Sequence, residues 1–267
     1  GRTLRTVLRE THGPQAYRTG RSGAHGTRDW PTMERRLLEQ FRRICDAVGF
    51  GHRRGVVHRD LKPENIMIGR GEERADEMYV MDWGIAAVDG KPVLRAPERR
   101  VAPAEAEDED AAANRSLTAG GLVCTPAYAS PEQAAGRSPI DARSDVYALG
   151  SILLEMLTGR RAYPRPNSEE TLARVRQNDW TRPADGLGSA RATEELLPVI
   201  EKALSRDPER RHADANELKA AIDAYLAGRF IDGQRPSLFR RLARWTSQNR
   251  TTAATLATTV ALALLAG

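Results

Sequence analysis

The sequence is poor in cysteine, and this scarcity excludes several classes of protein. Its two cysteines, Cys45 and Cys124, lie far apart, and neither belongs to a CxxC pair or to a Cys/His spacing typical of zinc sites. Neither a disulfide framework nor a structural zinc site is indicated. The folded part therefore suits a reducing, cytosolic setting.

Signal-peptide features are also missing, because the chain starts with Gly1 and shows no charged-then-apolar leader. It ends within an apolar run, and we expect both ends to be truncations.

What the chain does have is 40% hydrophobic and 29% charged residues, enough for one substantial core in a globular protein. Arginine is concentrated near the two ends and the net charge is +5. This asymmetry favours an anionic membrane surface as a partner, and no nucleic acid.

Hydrophobic periodicity predicts a mainly helical protein. A short helix is predicted at the N-terminus, followed by a loop rich in glycine and arginine, and a long amphipathic helix begins near Pro31. The predicted helices are Gly1 to Glu10, Pro31 to Phe50, Val146 to Leu157, Glu169 to Gln177, Glu194 to Leu204 and Ala213 to Leu226. Gly228 should end the last of them.

Two short runs, Asn65 to Gly69 and Met78 to Asp82, are separated by a charged turn and predict a small hairpin. The stretch from Asp89 to Leu122 is rich in proline, alanine and acidic residues and has no apolar face, so we expect it to be irregular and mobile. It is either an inserted regulatory loop or a tolerated surface insertion.

Two motifs in the first half carry the chemistry: VVHRDLKPENIMIG, at residues 56–69, and VMDWG, at 80–84. They resemble the catalytic loop and the metal-binding loop of protein kinases. His58 and Arg59 stand in the HRD part of the first motif. Trp83 and Gly84 stand in the DFG part of the second, with Trp83 in place of the usual phenylalanine.

The resemblance implies a role for each polar residue of these motifs. Asp60 is the expected catalytic base, and Lys62 is expected to stabilise the γ-phosphate of ATP. Asn65 and Asp82 carry the hard oxygen donors that magnesium prefers and match the family's ligands for Mg²⁺ or Mn²⁺. Met67 is expected to form the floor of the adenine pocket. Lys62 also favours serine/threonine specificity.

Three downstream motifs resemble kinase sequences in the family's order: CTPAYASPEQ at 124–133, SDVYALG at 144–150 and DPERR at 207–211. By resemblance, Thr125 lines the substrate pocket, Asp145 holds the catalytic-loop backbone, and Glu132 pairs with Arg211. One departure is Cys124, which stands where the family has glycine and would be strained if that position needed a positive φ.

A regulatory switch is a further expectation. Arg59 matches the arginine that receives an activation-loop phosphate, so phosphorylation at Ser116 or Thr118 would order that loop through charge-assisted hydrogen bonds. In the alternative reading, Arg59 only braces the loop. A homodimer that phosphorylates itself in trans is compatible with the resemblance.

The predicted fold class is mainly α: a protein-kinase-like C-terminal lobe with a small β-hairpin at the active site, covering residues 1–228. No Gly-rich loop, strand lysine or partner glutamate precedes the catalytic loop, so the N-terminal lobe is expected to be absent and this chain alone to be catalytically silent. The first residues resemble the stretch that follows the hinge between the lobes.

The C-terminal tail has two parts. Residues 229–250 contain six arginines and one acid and predict a basic juxtamembrane segment. Residues 251–267 are uncharged and predict the start of a transmembrane helix, a few residues short of the length of about 20 that spans a bilayer. The arginines place the kinase lobe in the cytoplasm, on the inner side of the membrane. This order of parts resembles membrane-anchored bacterial serine/threonine kinases.

Three functions remain open from the sequence. The first is a membrane-anchored protein kinase that acts on serine and threonine in protein substrates, supported by the presence of all four catalytic residues. The second is a pseudokinase that acts as a scaffold or binding module, motivated by Trp83, Cys124 and the long loop. The third, a small-molecule phosphotransferase, is disfavoured because Lys62 and the CTPAYASPEQ segment serve a peptide substrate.

Overall fold

The computed structural model describes residues 1–13, 30–69, 77–83, 87–88, 91–92, 117–119, 122–137, 139–164, 168–183 and 191–229. Helices predominate in these ranges, as predicted. They are α1 (Leu4–His12), α2 (Trp30–His52), α3 (Pro131–Ala134), α4 (Ala142–Thr158), α5 (Ser168–Gln177), α6 (Arg191–Ala203) and α7 (Ala215–Leu226). The strands are β1 (Arg2–Thr3), β2 (Val56–Val57), β3 (Ile66–Ile68), β4 (Met78–Val80), β5 (Ala87–Val88), β6 (Lys91–Pro92), β7 (Leu117–Ala119) and β8 (Leu122–Cys124).

Helix α4 is the buried centre of the fold. Asp141 caps its N-terminus by accepting a hydrogen bond from the Arg143 N–H at 2.8 Å, and Gly159 ends it in the left-handed conformation with φ +68°. Every residue from Ser144 to Thr158 is buried. Helix α6 packs closely on it, because a Cβ at Gly150 would lie 2.7 Å from Ala203 Cβ. A larger residue at position 150 would force the two helices apart.

The amphipathic helix predicted from Pro31 to Phe50 is confirmed as α2, which runs slightly further at both ends. Its apolar residues recur at helical spacing and are almost fully buried. They are Leu37, Leu38, Phe41, Ile44, Cys45 and Val48. The helices predicted in the second half are confirmed as α4, α5, α6 and α7, with ends that differ by a few residues.

The predicted hairpin is confirmed as the antiparallel pair β3 and β4, with Ile66 opposite Val80. The expectation of a hairpin alone was incomplete, because β1 adds a third strand on the other side of β3. The prediction of a helix from Gly1 was wrong for the first residues, since β1 precedes α1. Thr3 ends the strand and caps the helix, its hydroxyl accepting from the Thr6 N–H at 3.3 Å.

Part of the stretch predicted to be irregular is ordered. Strands β7 and β8 form an antiparallel hairpin in which Leu117 lies opposite Cys124. Strands β5 and β6 pair with each other, and β5 also pairs with β2 at the start of the catalytic loop. Cys124 is not among the described non-glycine residues with positive φ, so the strain considered for it does not arise. The acidic core of this stretch lies outside the described residues.

The chain divides into two compact units, with the boundary in sequence after Asp223. The first, Gly1–Asp223, contains the strands and the helices up to most of α7. In the second, Ala224–Gly267, the described residues finish α7, and Gly228 has the positive φ of +69° that suits the end of a helix.

In the part of the chain that is described, no helix combines the length and apolar character needed to cross a bilayer. The predicted transmembrane start at 251–267 and all but Arg229 of the basic segment at 229–250 lie outside that part.

Candidate active site

The loop from Val57 to Asn65 is held by a buried carboxylate from α4. Asp145 accepts hydrogen bonds from the backbone N–H groups of His58 at 2.7 Å and Arg59 at 2.9 Å. Its side chain is only 1% exposed, so it cannot exchange these partners for water. The structure thus brings Asp145 to the loop backbone where the resemblance places it.

A histidine that the sequence analysis missed completes this anchor. His52, the last residue of α2, places its Nε2 atom 2.9 Å from Asp145 Oδ2. Its Nδ1 atom accepts from the Ala215 N–H at 3.2 Å, so Nε2 carries the proton that Asp145 accepts. Burial alone raises the pKa of Asp145, but the hydrogen bonds from the His52 ring and the His58 N–H outweigh it and hold that pKa below its usual value.

His58 links the catalytic loop to the strand that carries the second motif. The Asp60 N–H donates to its Nδ1 atom at 3.2 Å, so its Nε2 atom is the donor to the Met81 carbonyl at 2.9 Å. Trp83 packs against the His58 ring with 4.7 Å between ring centroids and donates from Nε1 to the Val80 carbonyl at 3.0 Å. Trp83 therefore occupies a packing position beside the HRD-like sequence, as expected for an aromatic residue there.

The centre of the site is a closed set of hydrogen bonds between three side chains. Thr125 donates from Oγ1 to Asp60 Oδ1 at 2.6 Å. Lys62 Nζ donates to Asp60 Oδ2 at 2.8 Å and to Thr125 Oγ1 at 2.9 Å. Residues far apart in sequence thus surround one buried carboxylate, 8% exposed, with a cation and a hydroxyl group. A carboxylate in this arrangement can accept a proton from a hydroxyl, and the lysine can neutralise nearby negative charge.

Asn65 and Asp82 lie at the same end of the β3–β4 pair. The Met81 N–H donates to the Asn65 carbonyl at 2.8 Å, which fixes the position of the residue before Asp82. Asn65 donates from Nδ2 to the Asp60 carbonyl at 2.8 Å, so its amide oxygen remains an acceptor. Asp82 is exposed and has a left-handed backbone, with φ +62°.

These donors fit a magnesium ion. An amide oxygen and a free carboxylate are the hard ligands that Mg²⁺ uses when substrate phosphates and water complete its shell. No cluster of three or more His, Cys, Asp or Glu side chains able to hold a metal occurs among the residues described. Met67 lies in β3, partly buried, and its methyl group lies against the backbone of Gly1.

Arg59 has an unusual conformation, with φ +73°, and a second missed residue holds it in place. Gln133 in α3 donates from Nε2 to the Arg59 carbonyl at 2.7 Å. Its Oε1 atom accepts from the Ser130 N–H at 3.0 Å, which fixes the orientation of the amide. The SPEQ sequence has the spacing of a capping box, a signal that could have drawn attention to Gln133.

Glu132 and Arg211, which the resemblance pairs, are brought together in a bidentate ion pair. The Arg211 terminal nitrogens donate to the two Glu132 oxygens at 2.7 and 2.8 Å, and Ser144 donates to Glu132 at 2.7 Å. Burial raises the pKa of Glu132, but the hydrogen bonds and charge of Arg211 lower it by more. The ion pair joins α3 to the segment before α7, and it also lies beside α4.

A second buried ion cluster was missed because its members are scattered in sequence. Arg5 in α1 contacts Glu64 Oε1 at 2.6 Å and Glu155 Oε1 at 2.5 Å, and it also donates to the Tyr128 hydroxyl. Tyr128 in turn donates to Glu155 Oε2 at 2.6 Å. Burial raises the pKa of Glu155, but the charges of Arg5 and Arg161 bring it below its ordinary value.

Three predicted site residues cannot be placed. Gly84 and Ser116 lie outside the described residues, and Thr118 is described only through the backbone of β7.

Comparison with known proteins agrees with this geometry. The family described as "Protein kinase domain" matches residues 23–221. The chain is 34% identical to the serine/threonine-protein kinase PknD of Protochlamydia amoebophila over 72% of this chain and 19% of that protein. It is also 34% identical to pkn3 of Myxococcus xanthus, over 74% of this chain and 33% of that protein.

A third relative is PknB of Mycolicibacterium smegmatis, 34% identical over 73% of this chain and 27% of that protein. The matched region is thus about a fifth to a third of the length of each of these relatives. The matching family model, the similar kinases and the geometry around Asp60 all indicate a protein kinase domain. The chain therefore belongs to the protein kinase family and is similar to bacterial serine/threonine kinases.

Proposed function

We propose that this chain supplies the catalytic loop of a serine/threonine protein kinase, which transfers the γ-phosphate of ATP to hydroxyl groups of protein substrates. The observation that carries the proposal is the closed set of hydrogen bonds between Asp60, Lys62 and Thr125. It provides an acceptor for the hydroxyl proton and a cation for the transferred phosphate within one small volume.

In this mechanism the substrate hydroxyl donates its proton to Asp60 in place of Thr125. Lys62 then faces both the base and the incoming phosphate, so it stabilises the charge that develops on the phosphate oxygens. Asn65 and Asp82 would hold the magnesium or manganese ion. When bound, that ion neutralises charge on the nucleotide phosphates and orients them.

Transfer also requires groups that this sequence does not contain: a Gly-rich loop over the phosphates, a strand lysine and its partner glutamate. The chain by itself is therefore expected to transfer no phosphate. Half of a nucleotide site also binds ATP weakly, because fewer groups contact the phosphates.

The decisive experiment compares this chain with a longer product of the same gene that carries those three features. Each is incubated with labelled ATP, Mg²⁺ and a basic protein, and the labelled residues are identified. We expect serine and threonine labelling by the longer product only, reduced about 100-fold or more by Asp60→Asn. Labelling by the chain alone would contradict the requirement for the missing groups.

The same assay separates the kinase from a pseudokinase scaffold. A longer product that folds but neither binds ATP nor labels protein would establish the scaffold. A small alcohol phosphorylated in preference to protein would instead support a small-molecule phosphotransferase.

Membrane anchoring of the kinase lobe on its cytoplasmic side is the second part of the proposal. It rests on sequence: the basic segment at 229–250 followed by the uncharged run at 251–267. Fractionation of cells that express the chain should place it with membranes, and Val260→Arg should release it. Substitution Thr251→Arg, at the edge of the run, is the matched control. Release by high salt of the unsubstituted chain would indicate surface binding only.

Control by phosphorylation is the third part. Arg59 Nε is buried and has no hydrogen-bond partner among the residues that the structure describes, which supports Arg59 as a receptor for a phosphate on Ser116 or Thr118. Phosphosite mapping of active protein should find one of the two residues modified, and a homodimer would permit transfer in trans. Active protein without phosphate between Asp82 and Cys124 would exclude this switch.

A further inference from the structure

A groove lies on the side of α3 that does not contact the catalytic loop. It has a volume of about 400 Å³ and lies between α3, the start of α4, α5 and the segment before α7. Pro131, Pro139 and Pro208 form part of its walls, so the backbone around it is restricted in φ at three places. Pro131 and Glu132 belong to α3, the helix whose Gln133 holds the Arg59 carbonyl.

Three exposed arginines from separate segments line the groove: Arg137, Arg176 and Arg206. No hydrogen bond or ion pair involves the guanidinium groups of Arg137 and Arg206 in the described part of the chain. Arg176 donates from Nε to the Ala134 carbonyl at 2.7 Å, which positions its guanidinium group beside α3. Within the described ranges, the two terminal nitrogens of Arg176 have no hydrogen bond and can take a further partner.

The carboxylates of the groove do not balance these cations. Glu132 is occupied by the bidentate ion pair with Arg211. Asp141 accepts from the Arg143 N–H as the cap of α4 and keeps its negative charge. Among the residues described, three arginines thus face one unpaired carboxylate, and the groove has an excess of positive charge.

We propose that this groove docks an acidic segment of a partner protein, rich in aspartate and glutamate. The guanidinium group of arginine is planar and can donate two hydrogen bonds to one carboxylate. Three guanidinium groups around one groove can therefore bind several carboxylates that lie close together in a peptide. The concave shape suits an extended peptide and does not suit the flat surface of a bilayer. The interaction goes beyond phosphoryl transfer and does not depend on it.

Binding can be measured on the chain itself. The probe is a fluorescent peptide with the acidic sequence AEAEDEDA, found at residues 104–111, and its anisotropy is followed during titration with protein. We expect Arg137→Glu and Arg206→Glu each to weaken binding about tenfold or more, and higher salt to weaken it further. Arg36→Glu is the matched control, because Arg36 is equally exposed but lies on α2. It should change the affinity less than about twofold.

Several results would overturn the proposal. Equal weakening by all three substitutions would show a general charge effect, and no binding at low salt would show that the groove does not take acidic peptides. Tighter binding after Glu105, Glu107 and Asp108 are changed to amides would show that the chain's own acidic segment fills the groove. Binding to phosphatidylserine vesicles that Arg137→Glu abolishes would assign the groove to a membrane.

The substituted side chains are exposed, so folding should be unaffected, and thermal unfolding of each variant checks this. Arg137→Gln and Arg206→Gln provide a second test without charge reversal. Each should weaken peptide binding several-fold with an unchanged unfolding temperature.

Discussion

Gln133 donates a hydrogen bond of 2.7 Å to the carbonyl of Arg59, and this contact joins α3 to the residue before the expected catalytic base. Arg59 has φ +73°, a conformation that costs a non-glycine residue about 1 kcal/mol or more. Asp145 holds the N–H of the same residue from the other side. The strained peptide is therefore fixed by two elements far apart in sequence, so a change in α3 should reach Asp60.

Removing the amide should loosen the catalytic loop selectively. Gln133→Ala leaves the Arg59 carbonyl without its partner, and we expect a loss of about 1–3 kcal/mol in the free energy of unfolding. Hydrogen–deuterium exchange of peptides covering residues 57–66 should become faster. Denaturant unfolding and exchange mass spectrometry measure the two effects.

Ser130→Ala is the matched control for this prediction. It removes the hydroxyl that caps α3, together with its longer contact of 3.2 Å to Gln133 Oε1, but keeps the Ser130 N–H bond of 3.0 Å that orients Gln133. It should lower stability by about 1 kcal/mol without faster exchange in the catalytic loop. Similar exchange in both variants would mean that Gln133 acts only by capping its own helix.

The Glu132–Arg211 pair should show strong coupling. Either Glu132→Gln or Arg211→Met leaves a buried charge without its partner, at a cost of about 3–5 kcal/mol. The double variant should lose clearly less than the sum of the two, because no unpaired charge remains. Urea unfolding of the unsubstituted protein, the two single variants and the double variant gives the coupling energy between Glu132 and Arg211. If the losses of the single variants simply add up in the double variant, the two side chains do not stabilise each other.

Two arginines near the N-terminus offer a contrast between buried and exposed ion pairs. Arg5→Met leaves Glu155 fully buried beside fewer cations, and we expect a loss of about 3–5 kcal/mol. Arg2→Met removes the exposed pair with Glu10 and should cost less than about 1 kcal/mol. Thermal unfolding distinguishes the two variants. Equal losses would refute the assignment of Arg5 to the buried cluster.

Acid should weaken the fold partly through Glu217. Burial raises its pKa, but the Ala213 N–H and Lys202 together outweigh burial and lower the pKa from 4.5 to about 2. The unfolded chain therefore binds the proton more tightly than the folded protein does. The stabilisation is complete above about pH 4.5 and is lost as the pH falls towards 2.

The measurement is the urea midpoint at pH 6 and at pH 3. Glu217→Gln should narrow the difference between the two midpoints, because the variant has no proton to bind at this position. Glu201→Gln, which removes an exposed carboxylate paired with Arg182, is the charge-matched control. An unchanged difference in the Glu217 variant would exclude this residue as a source of the acid sensitivity.

The helical class, the long helix α2, the β3–β4 pair and the residues expected at the site could all be predicted from the sequence. Periodicity in the sequence indicates which face of a helix or strand is buried, so these elements can be predicted without coordinates. The catalytic motifs can be recognised because each is contiguous in sequence. Short-range sequence patterns did not predict β1, because a strand of two residues is too short to show a period. It forms only because its backbone pairs with the edge of β3.

The contacts between side chains that are distant in sequence could not be predicted and became visible in the fold. His52 contacts Asp145, Gln133 contacts Arg59, and Arg5 contacts Glu155 across 150 positions. Each side chain taken alone is an ordinary polar residue on a helix or turn. Their significance depends on burial, where water cannot replace a missing partner, and burial is set by the packing of the helices around α4.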